Sequence, residues 1–247
     1  MSDSATSRAD QPYRQRRPSG AAMRFDDAEP VTVVLVRHGE TVMTAGRSFS
    51  GSSEEGPPLT PRGRAQAAGA ARAVARVGRT LWPDVPVPTE LLASPMVRTR
   101  QTADAVSEEL SLPVTIDPAF AECDFGLWQG LRPDELDGRW PGAVQRWYEG
   151  RAAAPEGESL PDVGARVASG LERLLAQGTG RTVVVASHVM AIRAAVGVSL
   201  GSPPTSWTWA RILPGSLTVV QWWPDGMREV VATGVPTSDH DTVPDGR

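Results

Sequence analysis

The sequence predicts an α/β fold: a three-layer sandwich around a mostly parallel central sheet. Three observations carry that reading. Val31-Thr32-Val33-Val34-Leu35-Val36 is a run of apolar and β-branched residues bounded by Pro30 and Gly39, as expected of a strand buried on both faces. Thr182-Val183-Val184-Val185-Ala186 repeats that character late in the chain. Between and after them, strand-like and helix-like stretches alternate and end on a hairpin signal.

Taken in order, residues 1–29 hold Ser, Ala, Asp, Arg and Pro with few large apolar side chains, so they are expected to form a disordered tail. Arg14, Arg16 and Arg17 belong to it as a solvated basic cluster, and Met23 is an alternative translation start. One domain over residues 30–234 follows. After the first strand, residues 44–58 read as a loop by their Gly, Ser and Pro content. Thr60-Pro61 has the form of an N-cap with proline at the first helical position, opening a helix to about Gly78 whose alanines and Val74 face inward. Thr89 to Ala93 is a short strand. Pro95 suits the first turn of a helix to about Leu110, which sets Arg98 near a helix N-terminus favourable to an anion.

Val114 to Ile116 is another short strand. Residues 121–130 are irregular, with short helical segments around Asp134 and Val144. Ser159 starts a long helix, with capping-box spacing to Asp162 and an apolar face of Val163, Val167, Leu171, Leu174 and Leu175. After the second buried strand, helix resumes through Ile192 and Val196. Ser216–Trp223, a turn at Pro224-Asp225-Gly226 and Arg228–Ala232 make the hairpin. Residues 235–247, with His240, are expected to form a second disordered tail.

Composition narrows the chemistry. The 247 residues suit one substantial domain, and a net charge of −4 gives no electrostatic case for nucleic acid. All 25 basic residues are arginine and no lysine occurs, which excludes a lysine nucleophile, a Schiff base and a Walker-type loop. Cys123 is the single cysteine, and His38, His188 and His240 are the three histidines. Neither a disulfide framework nor a metal shell is expected, and no metal or cofactor is called for. No apolar run reaches membrane-spanning length and no hydrophobic leader is present. A cytoplasmic protein without a membrane partner is expected.

Both buried strands end in a histidine. Parallel crossovers would bring His38 and His188 to the same sheet edge, where open α/β sheets build their sites. Arg37-His38-Gly39-Glu40 directly after the first strand resembles the signature of the histidine phosphatase superfamily, in its phosphoglycerate-mutase-like form. Phe49-Ser50-Gly51, Leu59-Thr60-Pro61-Arg62-Gly63, Ser94-Pro95-Met96-Val97-Arg98-Thr99-Arg100-Gln101-Thr102 and Ser187-His188-Val189 follow in that superfamily's order. Ala121-Glu122-Cys123-Asp124-Phe125-Gly126, Gly157-Glu158-Ser159 and the run from Ser187 to Ile192 are most similar to its actinobacterial α-ribazole-phosphatase-like or acid-phosphatase branch. Some members of that branch are fused to a ribonuclease H domain, for which the tail here is too short.

The resemblance implies a metal-independent phosphatase acting on a small phosphomonoester. His38 would attack phosphorus and become phosphohistidine, its pKa lowered by two guanidiniums and its other nitrogen held by an acceptor such as a backbone carbonyl. Arg37, Arg98 and His188 would surround the phosphoryl oxygens. Glu122, beside Phe125 and Trp128, would be the acid for the leaving group and the base for water, with Asp124 second in rank. Thr44 stands near the place where members often carry asparagine, and is taken as a phosphate contact weakened by that departure.

Val189 replaces the glycine that often follows the second histidine, and Cys123 reads as a buried filler. Trp207 and Trp209 pose a choice between covering an aromatic leaving group and ordinary packing, the latter preferred. Two other readings stand. A phosphomutase is disfavoured because Glu122-Cys123-Asp124-Phe125-Gly126 departs from the Glu-Arg-His-Tyr-Gly type segment of mutases. A non-catalytic phosphate-binding module is disfavoured by the intact set Arg37, His38, Arg98, Glu122 and His188. A homodimer is left open.

Overall fold

The computed structural model describes residues 28–237. The expected tails fall outside them except at their inner ends, and Arg14, Arg16, Arg17, Met23 and His240 lie outside as well. In chain order the elements are β1 (Val31–Arg37), α1 (Val42–Gly46), α2 (Pro61–Val74), β2 (Pro88–Ala93), α3 (Val97–Leu110) and β3 (Val114–Ile116). Then come α4 (Pro133–Arg139), α5 (Ala143–Tyr148), α6 (Leu160–Ala176), β4 (Arg181–Ser187), α7 (Val189–Leu200), α8 (Pro204–Trp207), β5 (Leu217–Trp222) and β6 (Arg228–Val235). Single 3₁₀ turns occupy Pro118–Phe120 and Gly126–Trp128.

The six strands form one sheet in the order β3-β2-β4-β1-β5-β6. The first four are mutually parallel, β5 pairs antiparallel with β1, and β6 pairs antiparallel with β5. Strand β4 therefore inserts between β2 and β1, although it is the fourth in sequence. Each face of the sheet buries its own core. Val34, Val36 and Val184 pack with Ala70, Val74, Ala103 and Val106 of α2 and α3. On the other face Val33, Leu35, Val183 and Val185 pack with Val163, Val167 and Leu171 of α6 and Ala191, Ile192 and Ala195 of α7. This is the expected three-layer sandwich with a mostly parallel sheet. Because α2 and α7 lie on opposite faces, the chain diverges at the C-terminal ends of β1 and β4, the place where open α/β sheets leave a crevice. No helix among the described residues is long and apolar enough to cross a membrane.

Several local expectations change. Residues 44–46 are helical, because Thr41 caps α1 by accepting the Thr44 N–H at 3.2 Å; the loop begins at Arg47, whose φ is 57°. Helix α2 ends at Val74, not Gly78, because Gly78, at φ 75°, belongs to a turn in which its N–H meets Leu81 O at 3.0 Å. Pro95 precedes the helix; the Ser94 N–H still pairs with Ala186 O at 3.0 Å, so the chain leaves the sheet before Met96 caps α3. Strand β6 runs on to Val235, three residues past the expected end at Ala232 and into the segment expected as tail. The Thr60 cap of α2 and the Ser159–Asp162 capping box of α6 form as expected.

Candidate active site

The register of β1 on β4 sets Arg37 opposite Ser187, so His38 and His188 leave the sheet side by side. Their rings lie 5.1 Å apart, centroid to centroid. His38 N–H continues the ladder to Ser187 O at 2.9 Å, which ties the end of β1 to the residue preceding His188. Strand pairing, rather than loop conformation, holds the two imidazoles together.

His38 is buried, and its Nδ1 lies 2.7 Å from Gly39 O. A carbonyl only accepts, so Nδ1 carries the proton and Nε2 keeps its lone pair. Burial, then the charges of Arg98 and Arg37, holds its pKa well below the usual histidine value. His188 is shifted the same way by burial, Arg98, His38 and Arg37. Its Nδ1 accepts from Arg98 Nε at 3.2 Å. The last residue of Arg-His-Gly-Glu serves the fold instead. Glu40 accepts from the hydroxyl of Thr60 at 3.0 Å and its N–H meets Gln66 Oε1 at 2.8 Å, which fastens the start of α2 to β1.

Arg98 is the second residue of α3 and wholly buried. Its Nη2 donates to Ser50 O and Gly51 O at 3.0 and 3.2 Å. Arg37 extends to Ile212 O, which its Nη1 meets at 2.6 Å; burial, with repulsion from Arg193 and Arg98 and against the pull of Glu122, brings its pKa down to about 10. Three buried donors in this region have no partner among the described residues: Arg37 Nε, Arg98 Nη1 and Ser50 Oγ. A Cβ built on Gly56 would contact both Arg98 Nη1 and Ser50 Oγ, so the loop over residues 50–56 brings these last two close. Unsatisfied buried polar groups are rare enough that such a cluster calls for an explanation, and an anion would satisfy all three.

Glu122 is buried beside them. Its Oε1 accepts the N–H groups of Cys123 at 2.9 Å and Met190 at 3.1 Å. Burial raises its pKa, opposed in part by those N–H groups and by Arg98 and Arg37. Asp124 is elsewhere: its carboxylate caps Gly126 N at 2.9 Å. Cys123 is fully buried, with its thiol pushed upward by burial and nearby carboxylates, in keeping with a filler.

A cavity of about 230 Å³ opens above this floor. Arg37, His38, Thr44, Arg47, Ser50, Glu122 and Arg193 are among its lining residues, with Phe49, Trp147, Tyr148 and Val189. The structure thus brings Arg37, His38, Glu122 and Thr44 to one cavity; Arg98 and His188, paired with each other, lie beside His38 without lining it. Thr44 Oγ1 lies 3.1 Å from Thr41 Oγ1. Trp207 packs instead against Gly164 and Gly197, and Trp209 is 82% exposed; neither lines the cavity.

Four contributors escape a sequence reading. Ser50 falls within Phe49-Ser50-Gly51 but nothing in that motif assigns it a part. Ser94 meets His188, Arg166 braces the chain around Glu122, and Arg193 lines the cavity.

Residues 33–233 match the histidine phosphatase superfamily (branch 1). The bifunctional protein Rv2228c of Mycobacterium tuberculosis is 31% identical over 202 residues, covering 81% of this chain and 53% of that protein; the chain spans about half the length of these mycobacterial relatives. A probable phosphoglycerate mutase, GpmB, of Yersinia enterocolitica is 32% identical over 195 residues, covering 77% of this chain and 84% of that one. Among solved structures, a mycobacterial glucosyl-3-phosphoglycerate phosphatase in complex with VO3 superposes with a TM-score of 0.71 at 27% identity, over 84% of this chain and 100% of that chain.

Proposed function

The chain belongs to the histidine phosphatase superfamily, and on that premise we propose that it hydrolyses small phosphomonoesters through a phosphohistidine on His38, without a metal ion. One observation carries the reading: the unpartnered buried donors Arg37 Nε, Arg98 Nη1 and Ser50 Oγ gather around a histidine whose free nitrogen is Nε2. Three donors match the three non-bridging oxygens of a phosphoryl group, where charge spreads in the transition state.

In this scheme His38 Nε2 forms a bond to phosphorus while the ester P–O bond breaks. Glu122, whose protonated form burial favours, gives its proton to the departing oxygen. The resulting carboxylate then takes a proton from water as that water attacks phosphorus. The P–N bond breaks, inorganic phosphate leaves and His38 is restored. Arg37 and Arg98 remain in place throughout, Thr44 completes the phosphate site in this proposal, and His188, whose ring nitrogens engage Arg98 and Ser94, holds the Arg98 guanidinium there.

The branch and substrate are part of the same proposal. The motifs are similar to the α-ribazole-phosphatase-like and acid-phosphatase branch, and a structural neighbour is a glucosyl-3-phosphoglycerate phosphatase. α-Ribazole phosphate and phosphoglycerate derivatives are therefore the first natural substrates to offer it. Its single cysteine suits a reducing compartment, and we place it in the cytoplasm.

Purified protein incubated with p-nitrophenyl phosphate in EDTA should release phosphate, and His38→Ala should lose that release by at least about a thousandfold. Equal release by both proteins would refute the scheme. The likeness to a probable phosphoglycerate mutase favours a second reading, phosphoryl transfer between hydroxyls. Incubation with 3-phosphoglycerate separates the two, since a mutase yields the 2-isomer and a phosphatase yields glycerate and phosphate.

A further inference from the structure

We infer that Gln129 is a positioning residue of the phosphate site: its side-chain oxygen holds the Ser50-Gly51 stretch in place and, through that stretch, the Arg98 guanidinium. The inference rests on the phosphatase reading of the cavity and adds a residue that lies outside it.

Gln129 is half-buried and is not among the residues lining the cavity. Its Oε1 accepts the N–H of Gly51 at 2.7 Å, across 78 positions of chain. Gly51 is buried, and a Cβ on it would fall 2.7 Å from Cys123 O and 2.9 Å from Phe125 N. The loop therefore lies flush against the stretch that follows Glu122. A buried N–H that loses its acceptor is costly to leave there. Gln129 is itself fixed, because its own N–H closes the 3₁₀ turn on Gly126 O at 3.1 Å.

The carbonyls of the same two residues face Arg98. Ser50 O and Gly51 O accept from its Nη2 at 3.0 and 3.2 Å, while its Nε donates to His188 Nδ1 at 3.2 Å. The guanidinium is thus held at two edges, by His188 and by the loop, and the place of the loop decides where Nη1 points. Ser50 stands between two anchors. On one side the N–H of Phe49 meets Leu131 O and its carbonyl accepts the N–H of Gly130, both at 2.9 Å; on the other, Gln129 holds Gly51. Arg98 Nη1 and Ser50 Oγ, two of the three unpartnered donors assigned to phosphoryl oxygens, therefore depend on one side-chain hydrogen bond.

Three variants test this, each assayed for p-nitrophenyl phosphate turnover and vanadate inhibition. Gln129→Leu keeps the bulk and removes the acceptor. KM and the vanadate inhibition constant should both rise about tenfold, the order of one hydrogen bond, with kcat changed less. Gln129→Glu keeps an oxygen within reach of the Gly51 N–H and should bring both back to within about threefold of wild type. Gln129→Asn is one methylene shorter, should behave like the Leu variant, and replaces it if that variant does not fold. Glu122 keeps its own N–H donors, so the alkaline fall in activity should not move in the Leu variant; a shift there would show a loss acting through the acid and overturn the inference. Unchanged KM and vanadate inhibition in a folded Leu or Asn variant, or an equal loss in the Glu variant, overturns it too, and the phosphatase reading then still stands. Wild-type protein that releases no phosphate from p-nitrophenyl phosphate removes that reading and this inference together.

Discussion

His188 Nε2 and the hydroxyl of Ser94 meet at 2.5 Å. Since His188 Nδ1 accepts from Arg98 Nε, the proton sits on Nε2, which donates to Ser94 Oγ. Ser94 Oγ is in turn 2.9 Å from Thr99 Oγ1, which lies 2.8 Å from Met96 O. The chain of hydroxyls sets both the ring angle and the tautomer of a buried histidine. Ser94→Ala should therefore lower kcat about 10- to 100-fold, the order seen when an orienting partner is removed. Ser94→Thr should recover part of the loss, and unchanged kcat in a folded Ala variant would refute the assignment.

The pH profile has two limbs with opposite causes. His38 must be neutral to attack, and its pKa lies well below 6.5, so activity persists below pH 6.5 and fails only when that ring protonates. Glu122 must be protonated to serve as acid, and its pKa is raised above 4.5, so activity falls as pH rises through the raised value. Steady-state rates should therefore follow a bell whose acidic limb belongs to His38 and whose alkaline limb belongs to Glu122. Glu122→Gln should erase the alkaline limb and slow alkyl phosphates more than p-nitrophenyl phosphate, whose leaving group needs no proton.

Stability follows linkage. His38 and His188 have folded pKa values below 6.5, so the unfolded chain binds protons first and their contribution, present above pH 6.5, is lost as pH falls. Glu122 acts with the other sign: its contribution is present below pH 4.5 and lost as pH rises through its raised folded value. As pH falls from 6.5, the thermal midpoint of the wild type should fall relative to that of His38→Ala, which lacks one of the two imidazoles.

Arg166 fixes the segment that carries Glu122. Its Nη1 donates to Ala119 O and Ala121 O at 3.0 and 3.1 Å, its Nη2 to Glu122 O at 3.2 Å, and Glu158 is paired with it at 2.9 Å. Arg166→Leu strips donors from three carbonyls and unpairs Glu158. We expect Tm to fall by roughly 10 °C, kcat to fall about tenfold or more with little change in KM, and the alkaline limb to shift. Arg166→Lys should not rescue it, because an ammonium cannot span the three carbonyls.

Gly63 sits where β1's exit and α2 touch. A Cβ there would collide with the Glu40 carbonyl, and one on Gly39 with the Gly63 carbonyl. Gly63→Ala should lower unfolding free energy by about 1–3 kcal/mol and displace the Arg37-His38 segment. Urea titration beside an activity assay would register both.

Much of this architecture is readable from residue order. The buried strands β1 and β4 declare themselves through uninterrupted β-branched runs, and Thr60-Pro61 and Ser159 through local capping chemistry. Arg37, His38, Arg98, Glu122 and His188 stand out because each follows a recognisable strand end or motif. The Ser94–His188 contact spans 94 positions and Arg166–Ala119 spans 47; no periodicity encodes them. Arg193 looks like any of the 25 arginines, since only folding distinguishes a lining side chain from a solvated one. Helix α1 escapes the sequence pattern because its five residues bury nothing, so it rests on the Thr41 cap.

Cys123 is the chain's one thiol, it is fully buried, and its peptide N–H holds Glu122. An alkylating reagent such as iodoacetamide can reach it only when this stretch detaches from the body of the protein. Its labelling rate is thus a built-in clock for local opening at the acid. Vanadate or phosphate held by Arg37 and Arg98 should slow that clock in proportion to occupancy, which would report ligand capture without any turnover.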